Sequence, residues 1–288
     1  MPTLTPKEIS VDKWFGLQRT ISGYSSTWAF RGLGNVAWRL QTSLERVGTT
    51  GPLTSEAERY LLSAFQRRVH HYIPDPPKKE DDLEWLALLQ HHGAPTRLLD
   101  WTKSPYVALF FALEQRRPES ESSALWAVDL DWCKQKALSV LGPLATSGGV
   151  LVTPDISLAS PGVFRAAFFE RAQLFIAPVQ PFRMNERLTI QQGLFLCPGN
   201  VTSLFEDNLA AYAEPGFESH VHKIVVPATL REEILGELNS MNISRASLFP
   251  GIDGFAQSLL TNLHIVMAAG RLSQEHSNLG FFIEYGFL

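Results

Sequence analysis

The 288-residue chain has little cysteine, no long apolar run and no strong net charge, and each absence excludes a class of protein. Its two cysteines, Cys133 and Cys197, are too few for a disulfide framework or a cysteine-based zinc site. No apolar run reaches about 18 residues, and the first residues lack a charged segment followed by an apolar one. We therefore expect a soluble cytoplasmic protein with no membrane partner.

The net charge of −4 excludes a strong overall attraction to nucleic acid or to an anionic membrane. Hydrophobic residues make up 45% of the chain and charged residues 19%, so we expect a folded core and no bulk disorder. Residues 1–73 nevertheless contain nine Lys or Arg against five Asp or Glu. A basic face that binds a phosphate-bearing ligand therefore stays open as a hypothesis.

Well-known metal and nucleotide motifs are also missing. His220 and His222 are spaced to reach one ion from a strand, but no acidic partner accompanies them, so we predict no metal site. The chain has no P-loop and no Gly-x-Ser-x-Gly turn. Residues 32–37 fit a loose Gly-x-Gly-x-x-Ala pattern, but neither a phosphate-facing helix nor a strand with a terminal acid follows, which disfavours a Rossmann site.

Hydrophobic periodicity and capping signals predict a mixture of helices and strands. The predicted helices lie at residues 5–18, 55–73, 81–92, 104–113, 229–239 and about 253–268. The predicted strands lie at 25–32, 123–130, 174–182, 188–196 and 220–226, with a short strand or loop at 148–152 and an edge strand in the tail from Phe281. Two prolines make 174–182 an edge strand or an irregular one. The elements do not alternate regularly, which favours an α+β fold over a doubly wound sheet.

The densest cluster of polar residues, at 90–105, lies between two apolar helices and includes a short strand. Burying a polar group costs free energy unless it forms hydrogen bonds or binds a ligand. The stretch is therefore either a functional site or a network of polar side chains with a structural role. Thr102 and Ser104 begin a buried helix, where hydroxyl and free N–H groups suit an anion or a ribose hydroxyl. For Ser104 alone, a plain helix cap is the simpler explanation. His91 and His92 end the preceding helix, whose dipole favours their charged form.

Arg31 is the second candidate site residue. It lies at the end of a predicted strand beside Gly32, and the absent side chain lets another group approach the backbone closely. This arrangement suits bidentate capture of a phosphate or a carboxylate. The alternative is an arginine paired with a core carboxylate such as Asp100, which could instead orient Arg97 or a histidine.

Several sequence blocks resemble the FRG domain family. They are Phe30-Arg31-Gly32, residues 90–102 with Ser104-Pro105 and 108–112, residues 185–195 and residues 248–254. The resemblance spans about residues 25–260 and implies a domain of that extent. It leaves a helical N-terminal segment at 1–24 and a C-terminal extension at 261–288 that packs on the same domain.

A second resemblance is to arginine-type ADP-ribosyltransferases. In these enzymes one strand carries aromatic-Arg-Gly, and a second carries a Ser-Thr-Ser-like element that leads into a helix rich in Ala and Phe. Residues 30–32 are similar to the first element and residues 102–112 to the second. The resemblance implies a split β-sheet core with surrounding helices and NAD as substrate. It also implies a set of NAD-binding residues, with Arg31 on a phosphate: Arg31, Gly32, Thr102, Ser104, Asp100 and His91.

The third element of that fold is a strand with a catalytic Glu, which by order is the strand at 188–196. Gln191 and Gln192 stand there instead, and a Gln loses the charge that stabilises an oxocarbenium-like transition state. Either another carboxylate serves, Glu186 or Asp100, or a histidine assists, or the protein binds without transferring. The candidate catalytic residues are Arg31, His92 and Gln192.

The resemblances imply an NAD-dependent ADP-ribosyltransferase that acts as a toxin or phage-defence effector. Its acceptor would be RNA or protein, and an antitoxin protein would be a further partner. The alternatives are a non-catalytic nucleotide or nucleic-acid binding module, which the missing Glu favours, and a hydrolase. The hydrolase would use His91 or His92 with Asp100 as an acid–base pair, but it lacks an obvious nucleophile or metal.

Overall fold

A seven-stranded sheet forms the centre of the protein. The structure is a computed structural model that describes residues 4–48, 51–115, 118, 121–145, 151–152 and 157–259. The strands are β1 (Lys7–Ser10), β2 (Trp28–Leu33), β3 (Leu99–Thr102), β4 (Ser123–Asp129), β5 (Leu144–Ala145), β6 (Leu151–Val152), β7 (Ile176–Val179), β8 (Gly193–Pro198) and β9 (Val221–Val226). The order in the main sheet is β1-β9-β4-β2-β3-β8-β7, while β5 and β6 pair separately.

Helices surround this sheet. They are α1 (Trp14–Ser22), α2 (Ser43–Val47), α3 (Pro52–Gln66), α4 (Asp82–His91), α5 (Pro105–Leu113), α6 (Leu130–Leu141), α7 (Pro161–Phe164), α8 (Glu186–Ile190), α9 (Phe205–Ala210), α10 (Arg231–Ser240) and α11 (Arg245–Leu248). Residues 252–259 are also helical. Neighbouring strands are antiparallel except β1 and β9, which run parallel. This mixed arrangement confirms the predicted α+β class.

Side chains of the central strands alternate between two apolar clusters, one on each face of the sheet. On β4, Leu125 and Ala127 pack with α1, α5 and α10. Ala124, Trp126 and Val128 on the same strand pack in the other cluster with α4 and α6. The sheet is therefore covered on both faces, which explains why β4 is buried along nearly its whole length.

The predicted helix at 5–18 is wrong in its first half. Residues Lys7–Ser10 form β1, which pairs in parallel with β9, and α1 begins only at Trp14. A pairing with a strand more than two hundred residues away overrides the local periodicity. The N-terminal segment therefore contributes a strand to the central sheet.

The predicted strand at 188–196 is also wrong in its first part. The side chain of Asn185 accepts a hydrogen bond from the Leu188 N–H and starts helix α8, which runs through Ile190. Gln191 and Gln192 form the turn, and β8 begins at Gly193. The two glutamines are therefore not strand residues.

Other predicted elements are confirmed within small shifts of their ends. Helix α3 starts at Pro52, before the predicted start at 55, and a 3₁₀ turn at Val69–His71 follows it. Helix α4 ends before Gly93, whose φ of +83° closes the helix in the left-handed region. Strand β7 lies at the sheet edge, as its proline predicts. The tail from Phe281 and the predicted extension at 261–288 lie outside the described residues.

A buried ion pair fixes the start of β3. The Arg97 Nε donates to Glu58 Oε1 of α3 at 2.7 Å, Arg97 Nη2 contacts the other carboxylate oxygen, and Arg97 Nη1 donates to the Phe168 carbonyl at 2.5 Å. Both side chains of the pair are about 2% exposed. Removing either side chain would leave the other as an unpaired buried charge, which is strongly destabilising. The pair therefore ties α3 to the start of β3. Arg97 therefore has its own carboxylate, and Asp100 does not orient it.

Helix α5 lies directly against β2 at Gly32. A Cβ atom at Gly32 would lie 1.9 Å from the Ala108 carbonyl oxygen and 2.7 Å from the Ala112 nitrogen, both in the backbone of α5. Backbone atoms cannot move aside as a flexible side chain can. Gly32 is therefore required for the contact between strand and helix.

We predict that Gly32→Ala destabilises the protein by about 1–3 kcal/mol, because α5 must move away from β2. The matched control is Gly236→Ala in α10, where nothing lies within 4 Å of the added Cβ and the change should stabilise by up to about 1 kcal/mol. Urea unfolding measures both. Equal midpoints for Gly32→Ala and the wild type would contradict the close contact.

Candidate functional site

A cavity opens where strands β2 and β3 separate. The two strands share one register pair, Phe30 with Thr102, whereas β2 and β4 pair along six positions. Beyond that pair the residues Arg31 and Gly32 on one strand and Asp100 and Trp101 on the other line a cavity of about 280 Å³. The separation of two strands in the middle of a sheet therefore creates the site.

Arg31 is the main cationic group at this separation. Its Nη1 donates to the backbone carbonyl oxygen of Asp100 at 2.5 Å. Its Nε is buried and has no hydrogen-bond partner within the described part of the chain. Burial lowers the pKa of Arg31, the charge of Asp100 opposes this and that of Arg46 adds to it. An arginine stays charged at physiological pH, so the site holds a cation with unused donor capacity.

Asp100 supplies the carboxylate of the cavity. Among the residues that line the cavity it is the one acidic residue, and its side chain is exposed. Over the described ranges its carboxylate takes part in no hydrogen bond or ion pair. Arg31 therefore bonds the backbone of Asp100 rather than its side chain, and the predicted alternative of a simple Arg–Asp core pair does not describe the geometry.

Arg187 lines the opposite wall of the cavity. It lies on α8, and its guanidinium carbon is 4.5 Å from the centre of the Phe249 ring. Burial lowers the pKa of Arg187, and the charge of Asp100 opposes this. Sequence reasoning missed Arg187 as a site residue, although the block at 185–195 contains it. The signal that could have identified it is its place in that block, one helical turn before Gln191, which also lines the cavity.

Thr102 joins the end of β3 to the turn before β8. Its hydroxyl donates to the Gln191 carbonyl at 2.6 Å and accepts from the Ser104 N–H at 3.0 Å. The Gln191 side chain also lines the cavity and donates to the Leu248 carbonyl at 3.0 Å. These bonds connect the end of β3, the turn before β8 and the end of α11. Thr102 and Gln191 therefore help to fix the shape of the cavity.

Five of the predicted site residues line the cavity, namely Arg31, Gly32, His91, Asp100 and Thr102. Ser104 does not; its hydroxyl accepts from the Val107 N–H at 3.3 Å and caps α5. His92 and Gln192 are exposed and lie outside the lining. Gln192 adopts a φ of +50° in the turn, and its neighbour Gln191 faces the cavity instead. The chemical roles of all these residues stay predictions.

His91 differs from the expectation of a cation favoured by the helix dipole. Burial lowers the pKa of His91, and the charges of His92 and Arg187 lower it further. Burial, together with these charges, therefore outweighs the dipole of helix α4 at His91. A lowered pKa favours the neutral imidazole, which can both donate and accept a hydrogen bond.

A second, more open groove of about 600 Å³ adjoins the cavity. Arg31, Gly32 and Phe111 line both spaces. The groove continues along the segment after β2 and along α2, where Trp38 and Arg46 line it. A ligand bound at Arg31 can therefore extend in two directions.

The two histidines considered as metal ligands have other partners. His220 Nδ1 lies 3.0 Å from Asp129 Oδ2, and the ring stacks on Trp132. His222 Nδ1 lies 2.8 Å from the Tyr24 hydroxyl. Where the chain is described, no three His, Cys, Asp or Glu side chains are grouped to hold a metal ion. Over the same residues no helix is long and apolar enough to cross a membrane.

The fold and the cavity together define an α+β domain with a cationic site between two separated strands. Residues 26–121 match the family model of the FRG domain, which supports the resemblance seen in the sequence blocks of that stretch. The matched stretch contains Arg31, Asp100 and Thr102, whereas α8, β8 and Phe249 lie beyond it. No curated protein and no solved structure matches the chain.

Buried Glu45 anchors α2, the helix that carries Arg46. Its Oε1 accepts from the Phe205 N–H at 3.0 Å and from the Thr42 hydroxyl at 3.2 Å. Burial raises the pKa of Glu45 to about 7, and these hydrogen bonds oppose the shift. Since the unfolded pKa is about 4.3, the folded state binds more protons between these values. The contribution of Glu45 to stability therefore falls as the pH rises from about 4.3 through about 7.

We predict that Glu45→Gln stabilises the protein relative to the wild type at pH 8, with a smaller gain at pH 5. The amide oxygen can still accept both hydrogen bonds, but no buried charge forms as the pH rises. Urea midpoints at the two pH values measure the effect, with exposed Glu56→Gln as the control. A gain that is the same at both pH values would contradict the raised pKa.

Proposed function

We propose that the protein is an NAD-dependent ADP-ribosyltransferase that binds NAD across the cavity at Arg31. The observation that carries the proposal is Arg31 itself, a partly buried cation beside Gly32 at the point where β2 and β3 separate. Its buried Nε has no hydrogen-bond partner in the described part of the chain. Such a group binds a diphosphate through charge and directed N–H donors. NAD carries a diphosphate of this kind, and Arg31 lines the cavity together with Asp100 and Thr102.

The order of three strands supports the same proposal. Strands β2, β3 and β8 are neighbours in the sheet. Arg31 lies on β2, Thr102 ends β3, and the two glutamines form the turn before β8. These are the three elements that the resemblance to ADP-ribosyltransferases relates. The single register pair between β2 and β3 is consistent with a split sheet core of that kind.

In the proposed reaction the bond between the ribose C1′ and the nicotinamide nitrogen breaks, and nicotinamide leaves with the electron pair. An acceptor nucleophile forms the new bond to C1′ and gives up its proton. The transition state is positively charged at the ribose, so a fixed negative group nearby lowers the barrier. Asp100 is our candidate for this group, because Glu186 does not line the cavity.

The biological setting is part of the proposal. A transferase of this kind would act in the cytoplasm as a toxin or phage-defence effector, and a neutralising protein would hold it inactive. A simple test of this part is expression in a bacterial host. Growth arrest by the wild type, absent with Arg31→Ala, would support the toxin role.

The second candidate function is a binding module that recognises a nucleotide without transferring it. Gln191 faces the cavity in the turn that the resemblance relates to a catalytic Glu, and an amide carries no charge. The hydrolase hypothesis gains less support. His92 lies outside the cavity lining, and the described residues that line the cavity include no Ser or Cys as a nucleophile beside His91.

We predict that Arg31→Ala lowers transfer of label from NAD to acceptor by about two orders of magnitude or more, because the diphosphate loses its cation. The assay incubates the full chain with labelled NAD, cell extract and purified RNA, and also measures nicotinamide release. Arg19→Ala, an exposed arginine on α1 outside both spaces, is the matched control. Intact transfer by Arg31→Ala would overturn the assignment, and binding of NAD by the wild type without any transfer would favour the binding module.

We further predict that Asp100→Asn lowers kcat by about 10²- to 10³-fold while NAD still binds. The shape of the side chain is kept and only the charge is lost, so the change acts on the transition state rather than on the substrate. Glu186→Gln is the matched control and should keep its activity. If Glu186→Gln is inactive and Asp100→Asn is active, the assigned carboxylate is wrong.

A further inference from the structure

Among the described residues, those that line the open groove beside the cavity include three arginines and no acidic residue. Its twelve lining residues include Arg31, Arg39 and Arg46, and none of the twelve is Asp or Glu. The whole chain has a net charge of −4, so this surface differs in sign from the protein average. A local concentration of cations in a concave surface attracts polyanions.

The charge of Arg46 is not neutralised by an acidic partner. Its Nη1 donates to the Gln41 carbonyl at 2.9 Å, and across the described ranges it makes no ion pair. Its charge is close enough to Arg31 to lower the pKa of Arg31. Arg39, in contrast, pairs with Glu206 at 2.7 Å. Arg46 therefore has a capacity to bind a phosphate that Arg39 lacks.

An exposed aromatic ring lies between these arginines in sequence and lines the same groove. The side chain of Trp38 is 46% exposed, although large aromatic residues are mostly buried in folded proteins. Gln41 and Gln115 add amide groups to the lining. Cations that follow a phosphate chain and an aromatic face that stacks a base are the two components of sites for single strands.

We propose that this groove binds single-stranded nucleic acid, with a phosphate at Arg46 and a base on Trp38. Because Arg31 and Gly32 line both spaces, a bound strand lies next to the cavity. The bound strand would then be the acceptor of the proposed transferase, and this role as acceptor rests on the proposed function. Binding of the strand to the groove does not depend on the proposed function, since it needs no NAD.

Binding of a fluorescent single-stranded RNA of roughly ten nucleotides to the full chain tests the proposal. We expect Arg46→Glu to weaken binding at least about tenfold and to reduce the salt dependence by about one phosphate contact. Trp38→Ala should weaken binding about fivefold or more. Arg19→Glu is the matched control, because it makes the same charge change on an exposed arginine outside the groove, and it should bind within about twofold of the wild type. Circular dichroism confirms that each variant is folded.

Two outcomes would overturn the proposal. If Arg46→Glu and Arg19→Glu weaken RNA binding equally, the attraction is general and the groove is not the site. If the wild type binds no RNA and Arg46→Glu weakens NAD instead, the groove holds the adenosine half of the dinucleotide. Binding of RNA that depends on Arg46, without transfer from NAD, would contradict the transferase and leave the groove assignment intact.

Discussion

The separation of β2 and β3 is the constraint on which the site depends. Two strands in the middle of a sheet normally satisfy each other's backbone groups, and here they do so at one position, Phe30 with Thr102. The Arg31 side chain takes over part of this task by donating to the Asp100 carbonyl. The same guanidinium thus links β2 to β3 and lines the cavity. Arg31 therefore contributes both to the structure of the sheet and to the proposed ligand site.

Rigid contacts hold both sides of the separation in place. Helix α5 touches the backbone of β2 at Gly32, and the pair of Arg97 with Glu58 fixes the residues that enter β3. On the far side, Thr102 bonds the turn at Gln191. A site built on strands and helices with such support is held in one geometry, which lowers the cost of ordering it when a ligand binds.

Much of the fold could be predicted because it follows from local sequence. Ser104 and Pro105 start a helix that is apolar on all sides, and Gly93 ends α4, so both boundaries are encoded within a few residues. The parallel pairing of β1 could not be predicted, since it depends on β9 at the other end of the chain. Local patterns carry no information about such a partner.

The sequence segments that form the site could be predicted, but which of their residues line the cavity could be predicted only in part. Arg31 and Asp100 stand out by type and position, and the structure places both at the cavity. Gln191 and Gln192 look alike in sequence, and only the turn geometry decides that Gln191 faces inward. Arg187 depends on a helix that begins at an asparagine cap within a segment rich in strand-forming residues. One hydrogen bond there changes which side chains reach the cavity.

The match to the FRG domain at residues 26–121 ends before the sheet is complete. Within these limits β2 lacks its long partner β4, and β3 lacks β8. A fragment cut there would present two unpaired strand edges, which in water are templates for aggregation. The matched stretch is thus a recognisable part of a folding unit and not a transferable module. A fragment that is to fold on its own therefore has to include β4 and β8, the neighbours of β2 and β3 in the sheet.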